Sequence, residues 1–305
     1  MNVVVAGGTG FLGRPLVESL TARGDEVTVL SRGAGSGRPV GARTIPWLGD
    51  GANDHAWRRA VAEADTVVNL AGASLADRRW SPSHKERILR SRLIATSALV
   101  EAMAEGTARP RSLVSASAVG YYGAQGANPI SDIDPDGPGT DFLAEVCLAW
   151  EAEARKAEAL GARVALLRTG LVLAPDGGAL PRLALPFRLF VGGPLGDGRQ
   201  WMPWIHREDA VALIRHIIGR DDLSGPLHIT SPEPVTNRTF AAALGRALGR
   251  PSVVPAPAFG LRIALGEMAD ALLLSGQRAL PERALRSGFA YRYVGVARAL
   301  ADLVM

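Results

Sequence analysis

The 305-residue chain is 47% hydrophobic and 21% charged, which excludes a disordered or fibrous polypeptide and supplies a large core. A formal net charge of +4 and a pI near 9.7 suit an anionic ligand, and no basic cluster interleaved with aromatic residues points to nucleic acid. A single cysteine, Cys147, excludes an intramolecular disulfide and a cysteine-built metal site, in keeping with a reducing cytoplasm.

Taken in chain order, Asn2–Ala6 reads as a strand that opens the chain without a basic or apolar leader, so no signal peptide is expected. A helix is predicted over Phe11–Arg23, then strands at Glu26–Ser31 and Arg43–Trp47, a helix at Asp54–Ala64 and a strand at Thr66–Leu70. Ser81-Pro82 supplies an N-cap with proline at the first helical position, starting a helix over Pro82–Glu105. Ser112–Ala116 and Arg163–Arg168 are further strands flanking a helix at Asp141–Leu160, where Cys147 reads as a small buried apolar residue. This alternation implies a parallel sheet covered on both faces.

After Thr169 the pattern loosens into Gly/Pro-rich stretches such as Gly192–Gln200, read as a substrate-facing portion. Strands at Met202–His206 and Leu227–Thr230 are expected to return to the sheet, and helices at Leu261–Leu274 and Val294–Met305 to form a small lobe. Phe259–Leu274 is interrupted by Arg262, Glu267 and Asp270 and does not read as a membrane span. The expected fold is thus a doubly wound parallel-sheet Rossmann fold with a smaller C-terminal substrate-binding lobe. Residues 1–170 would form the cofactor-binding domain and residues 171–305 a substrate-facing region partly interleaved with its sheet.

Gly7-Gly8-Thr9-Gly10-Phe11-Leu12-Gly13 follows the first strand and opens the first helix, the context a dinucleotide-binding turn needs. The glycines allow a tight turn and close backbone approach, and amides at the helix N-terminus meet pyrophosphate charge. At the end of the second strand an acidic residue would bind the ribose hydroxyls of NAD; Ser31 and Arg32 stand there instead and suit the 2′-phosphate of NADP. Asn69-Leu70-Ala71-Gly72 ends the fourth strand with small residues that leave room for cofactor. The predicted cofactor contacts are Gly7, Thr9, Gly10, Phe11, Leu12, Gly13, Ser31, Arg32, Leu70, Ala71, Gly72 and Ser115.

With Ser115-Ala-Ser117 before Tyr122-Gly123, Arg168-Thr169-Gly170 and Trp204-Ile205-His206, these segments resemble the extended short-chain dehydrogenase/reductases, the superfamily of nucleotide-sugar epimerases and dehydratases. Ser91-Arg92 with Thr96, Gly192–Gln200 and Gly276-Gln277-Arg278 are closer to an atypical, epimerase-like subgroup. The resemblance implies NADP(H)-dependent redox or epimerisation, with a serine orienting the substrate oxygen and a tyrosine, helped by a lysine one helical turn later, moving the proton. Ser117, or less well Ser115, matches the serine. The tyrosine and lysine positions fall at Phe142 and Val146, neither of which transfers a proton.

Two explanations stay open for that gap: Tyr121 or Tyr122 serves as the acid, Tyr121 being preferred, or the chain binds NADP(H) as a sensor or scaffold. Tyr122, Arg199, Gln200 and His206 are the candidate substrate contacts. The basic stretch Arg78, Arg79, Lys85, Arg87, Arg90 and Arg92 reads mostly as a solvated face, with one or two members available to cofactor phosphates or an acidic substrate. Histidine spacing gives no metal site. The partners expected are a small-molecule substrate and, as an open alternative, a second copy of the chain, with neither nucleic acid nor membrane.

Overall fold

The structure, a computed structural model, describes residues 1–33, 41–49, 55–106, 111–133 and 136–304. Seven parallel strands form the central sheet: β1 (Asn2–Ala6), β2 (Glu26–Ser31), β3 (Arg43–Pro46), β4 (Thr66–Asn69), β5 (Ser112–Ala118), β6 (Arg163–Thr169) and β7 (Gly225–Ile229). Their spatial order is β7-β6-β5-β4-β1-β2-β3. The chain winds outward in both directions from β1, so β1 and β4 flank the switch point at which such sheets open a crevice beyond their carboxyl ends.

The strands are apolar on both faces because helices cover both. On one face α1 (Gly13–Ala22) and α6 (Arg207–Ile218) pack Leu16, Val17, Leu20, Ile214 and Ile217 against Val3, Val5 and Val29. On the other, α2 (His55–Ala62), α3 (Pro82–Ala104) and α4 (Phe142–Arg155) bring Trp57, Leu99, Met103 and Ala154 onto Val4, Val67 and Leu113. Ser81 caps α3 by accepting from the His84 amide at 3.2 Å, and Asp141 caps α4 through the Ala144 amide at 2.9 Å. A third core joins α5 (Leu180–Arg188), α7 (Asn237–Leu248) and the closing helix Val296–Val304 through Phe187, Trp204, Phe240, Leu244, Tyr293 and Leu300.

Leu227–Thr230 does return to the sheet, as β7 beside β6. Met202–His206 does not: Trp201–Met202 pairs antiparallel with Val235–Thr236, while Trp204–His206 runs parallel to Leu171–Ala174 outside the main sheet. Pro203 separates the two pieces, having no N–H to continue a ladder, and its carbonyl accepts from the Leu171 amide at 2.6 Å. The predicted Leu261–Leu274 helix breaks at Gly266, whose φ of +64° ends α8 (Ala258–Leu265) before a short turn over 267–274. Asp54 and Met305, the outer ends of two predicted helices, lie outside the described residues. Among the described residues no helix is long and apolar enough to cross a membrane.

Two buried carboxylates fasten the C-terminal segment to the sheet domain by accepting from backbone amides. Asp209 on α6 takes those of Arg292 and Tyr293 at 2.9 and 2.8 Å, and Asp132 takes those of His228 and Arg283, both at 2.9 Å. Each ties an otherwise orphaned polar group into the core, the condition on which buried polar atoms are tolerated.

Candidate functional site

The β1–α1 turn is built by close approach. A Cβ on Gly7 would lie 2.9 Å from the Leu70 carbonyl carbon, and one on Gly8 would lie 2.8 Å from Cγ1 of Val29. The end of β4 and the floor of β2 thereby press against the turn, and side chains are excluded from both positions. Among the described residues none accepts from the amides of Phe11, Leu12 or Gly13, and α1 has no acidic residue in its first turn. These free N–H groups at the positive end of the helix dipole form an anion cradle.

Thr9 and Gly10 are exposed beside it, with Phe11 and Leu12 half-buried. The Thr9 and Ser31 hydroxyls lie 3.3 Å apart, joining the turn to the end of β2, where Arg32 is exposed. Leu70 and Ala71 are half-buried and Gly72 is exposed, whereas Ser115 is fully buried within β5, beneath the crevice surface. The loop leaving β4 is pinned: the Ala71 amide donates to Asn69 Oδ1 at 3.1 Å and the Ala73 amide to Ser91 Oγ at 3.0 Å.

Beneath the crevice runs a buried polar chain. Arg168 on β6 donates from Nε and Nη2 to the two carboxylate oxygens of Glu151 on α4, each at 2.8 Å, and from Nη1 to the Tyr122 hydroxyl at 2.8 Å. Ser117 donates its hydroxyl to Glu151 Oε1 at 2.7 Å. The Tyr122 hydroxyl lies 2.6 Å from Nε2 of His228, whose Nδ1 lies 2.9 Å from the Leu280 carbonyl. One tautomer satisfies every member: His228 carries its proton on Nδ1 for Leu280, leaving Nε2 to accept from Tyr122. Burial pushes the Tyr122 hydroxyl up to about 12, Arg168 countering only in part. Burial also lowers the His228 pKa. For Arg168, burial alone would lower the pKa, but the hydrogen bonds and charge of Glu151 raise it.

The predicted catalytic residues therefore have distinct surroundings. Ser117 is 4% exposed with its proton directed at Glu151. Tyr121 is half-buried, its ring centroid 3.4 Å from Arg168 Cζ and 5.4 Å from the Tyr122 ring. Tyr122 is fully buried in the polar chain and offers nothing to a solvent-borne substrate. Phe142 packs edge-on against Trp80 at 5.1 Å, with the Lys85 ammonium 4.8 Å from its ring centroid, and Val146 is buried.

The remaining substrate candidates scatter. His206 accepts from the Glu208 amide at 3.1 Å, capping α6, and stacks on Tyr293 with centroids 3.9 Å apart. Its Nε2 lies 3.3 Å from Asp302 without hydrogen-bond geometry, and burial lowers its pKa. Gln200 donates to the carbonyls of Leu195 and Leu273 at 3.1 and 2.6 Å, holding the glycine-rich segment to the turn after α8. Arg199 is exposed. Glu151 and His228 escaped sequence reasoning as functional candidates, because nothing local marks partners so distant in the chain.

A crevice at the sheet's switch point, floored by close-packed glycines and facing a helix N-terminus, defines a Rossmann-type dinucleotide-binding protein of the extended short-chain dehydrogenase class. The chain belongs to the NAD dependent epimerase/dehydratase family, whose model matches residues 3–229, and a domain of unknown function matches residues 256–303. It is 38% identical over 304 residues to the epimerase family protein YfhF of Bacillus subtilis, spanning 100% of this chain and 98% of that protein. It is 42% identical over 307 residues to a chloroplastic SDR39U1 homolog of Arabidopsis thaliana, spanning 100% of this chain and 87% of that protein. The crystal structure of the human epimerase family protein SDR39U1 with NADPH superposes with a TM-score of 0.88 at 34% identity, covering 100% of this chain and 99% of that one.

Proposed function

We propose that this chain binds NADPH at the β1–α1 turn and uses it in redox or epimerisation chemistry on a small polar substrate, a carbonyl compound or a nucleotide sugar. The observation that carries the reading is the anion cradle of Phe11, Leu12 and Gly13 amides beside Ser31 and Arg32, with no carboxylate at the end of β2 to repel a 2′-phosphate. The human relative crystallised with NADPH supports it. Bound NADPH supplies or takes back a hydride.

In this reading the amides bind the pyrophosphate, and Arg32 makes a charge-assisted contact to the 2′-phosphate. Tyr121, whose ring centroid lies 3.4 Å from Arg168 Cζ and whose hydroxyl takes no part in the buried chain, is the acid that exchanges a proton with the substrate oxygen. Ser117 acts at one remove: it orients Glu151, which orients Arg168, which fixes the Tyr121 ring. A second reading, cofactor binding without turnover, is favoured by one observation: Phe142 and Val146 fill the proton-transfer positions with apolar contacts to Trp80 and the core.

Calorimetric titration with NADPH and NADH, on the parent and on Arg32→Ala, tests the cofactor. The parent should prefer NADPH, and Arg32→Ala should lose roughly tenfold or more for NADPH alone; equal affinity in the variant refutes the 2′-phosphate assignment. Absorbance at the nicotinamide band, followed against a panel of carbonyl compounds and nucleotide sugars, tests the chemistry. Oxidation that Tyr121→Phe abolishes supports the enzyme, and tight binding without oxidation across the panel moves the conclusion to the sensor.

A further inference from the structure

Large apolar side chains left in solvent are normally scattered singly over a folded chain. Here over half of those among the described residues fall in two short segments, 185–191 and 253–263. At the end of α5, Leu189, Phe190 and Val191 are exposed in succession, Phe190 by 58%. Val253 is 77% exposed, and on α8 Phe259 and Ile263, one helical turn apart, are 68% and 72% exposed. No residue of α8 is buried. Phe190 is also, among the described residues, the only one besides glycines at positive φ, +61°. Its backbone is held in an unfavourable region while its side chain stays in solvent.

The two segments lie side by side. The Val254 amide donates to the Gly192 carbonyl at 3.1 Å, the Ala256 amide to that of Pro194 at 2.9 Å, and the Gly196 amide to that of Ala256 at 2.8 Å, after which the chain enters α8. Arg250 places its guanidinium 4.4 Å from the centre of the Phe190 ring. The charge around this ridge has one sign. Residues 177–196 and 235–266 contain six arginines and neither aspartate nor glutamate. All six are exposed, and among the described residues only Arg262 pairs with a carboxylate, that of Asp270.

That combination decides between occupants. Two copies of the ridge face to face would set arginines against arginines, so a second copy is disfavoured. The exposed side chains are Leu, Val, Ile and Phe, without the Trp, Tyr and Met that enrich protein interfaces. Aliphatic and Phe side chains beside arginines suit the boundary between acyl chains and anionic headgroups. Such contact needs no spanning helix.

We propose that the ridge formed by Phe190, Val253 and the Phe259–Ile263 face of α8 docks the protein on an anionic lipid bilayer, with Arg188, Arg246 and Arg250 facing the headgroups. This departs from the sequence expectation of no membrane partner, because the signal is divided between two segments about sixty residues apart. It is independent of the reading of the cofactor site.

Vesicle flotation of the parent tests it, with phosphatidylcholine alone and with phosphatidylglycerol as about a third of the lipid. The parent should bind the anionic vesicles roughly tenfold or more tightly than the neutral ones, and about 0.5 M sodium chloride should weaken that binding. Phe259→Asp with Ile263→Asp should lose roughly tenfold or more. Phe190→Gly, which removes the ring and suits the positive φ, should also bind anionic vesicles less while melting like the parent. Circular dichroism identifies the variants that fold, and all of these should keep the parent's affinity for NADPH within about twofold. A parent that does not float with anionic vesicles overturns the proposal, as does flotation that folded variants leave unchanged. So does sedimentation showing a dimer that Phe259→Asp dissociates in a chain that floats with neither vesicle, which would assign the ridge to a second copy.

Discussion

Replacing Glu151 with glutamine removes the charge that holds Arg168 in the interior while keeping the side chain's shape. Arg168 and Glu151 are 3% and 4% exposed, with two hydrogen bonds of 2.8 Å between them. Breaking one side of such a pair leaves an uncompensated buried cation and costs about 3–5 kcal/mol. Glutamine still accepts one of the two bonds, so the low end applies. At about 2 °C per kcal/mol for a chain of this size, the midpoint of thermal unfolding should fall by about 6 °C, read by scanning calorimetry. Adding Arg168→Met should restore part of the loss, because the stranded charge goes with it. Glu63→Gln, which breaks the exposed Arg59–Glu63 pair at 78% and 58% side-chain exposure, should move the midpoint by less than about 1 °C. A Glu151→Gln midpoint within about 1 °C of the parent, or a double variant as damaged as the two single losses added together, refutes the reasoning.

Two further outcomes are expected. Gly8→Ala places a methyl 2.8 Å from one Val29 methyl and 3.2 Å from Val17 Cγ2, where buried neighbours give little. Stability should fall by about 1–3 kcal/mol and NADPH binding should weaken with it, and a variant that melts and titrates like the parent contradicts the packing argument. Lowering the pH should destabilise the fold through His228 and His206. Both have folded pKa values depressed mainly by burial, so as pH falls below about 6.5 the unfolded chain takes up protons first. Stability is full above that pH and declines below it by up to about 1.4 kcal/mol per pH unit per histidine, whereas a midpoint flat between about pH 7.5 and 5.5 would overturn the assignment of neutral buried imidazoles.

What could be read ahead of the structure was local. The glycine turn, Ser81-Pro82 and the Val-rich strands carry their signals within a few residues, and the structure places a tight turn, a capped helix and buried strands there. The site's second layer is not local. Glu151, Arg168, Tyr122 and His228 meet across separations of 17, 46 and 106 residues, and no window of sequence contains such a pair. Gln200, His206 and Ser117 were candidate site contacts by sequence, and the bonds of all three turn inward: Gln200 donates to backbone carbonyls, His206 accepts from the amide of Glu208, and Ser117 donates to Glu151. Met202–His206 looked like one strand because its apolar run hides the effect of Pro203, which divides it between two partners.

The last strand of the central sheet has a consequence for how the chain is made. β7 is drawn from residues 225–229, yet it pairs with β6, which ends at Thr169. At about 5–20 residues per second, roughly 3–12 s of synthesis separate the completion of the two strands. Through that interval β6 presents an open hydrogen-bonding edge that any extended segment can join. Asp132, emerging long before, is ready to capture the His228 amide as soon as it appears. The growing polypeptide thus waits for its final strand with the receiving carboxylate already made.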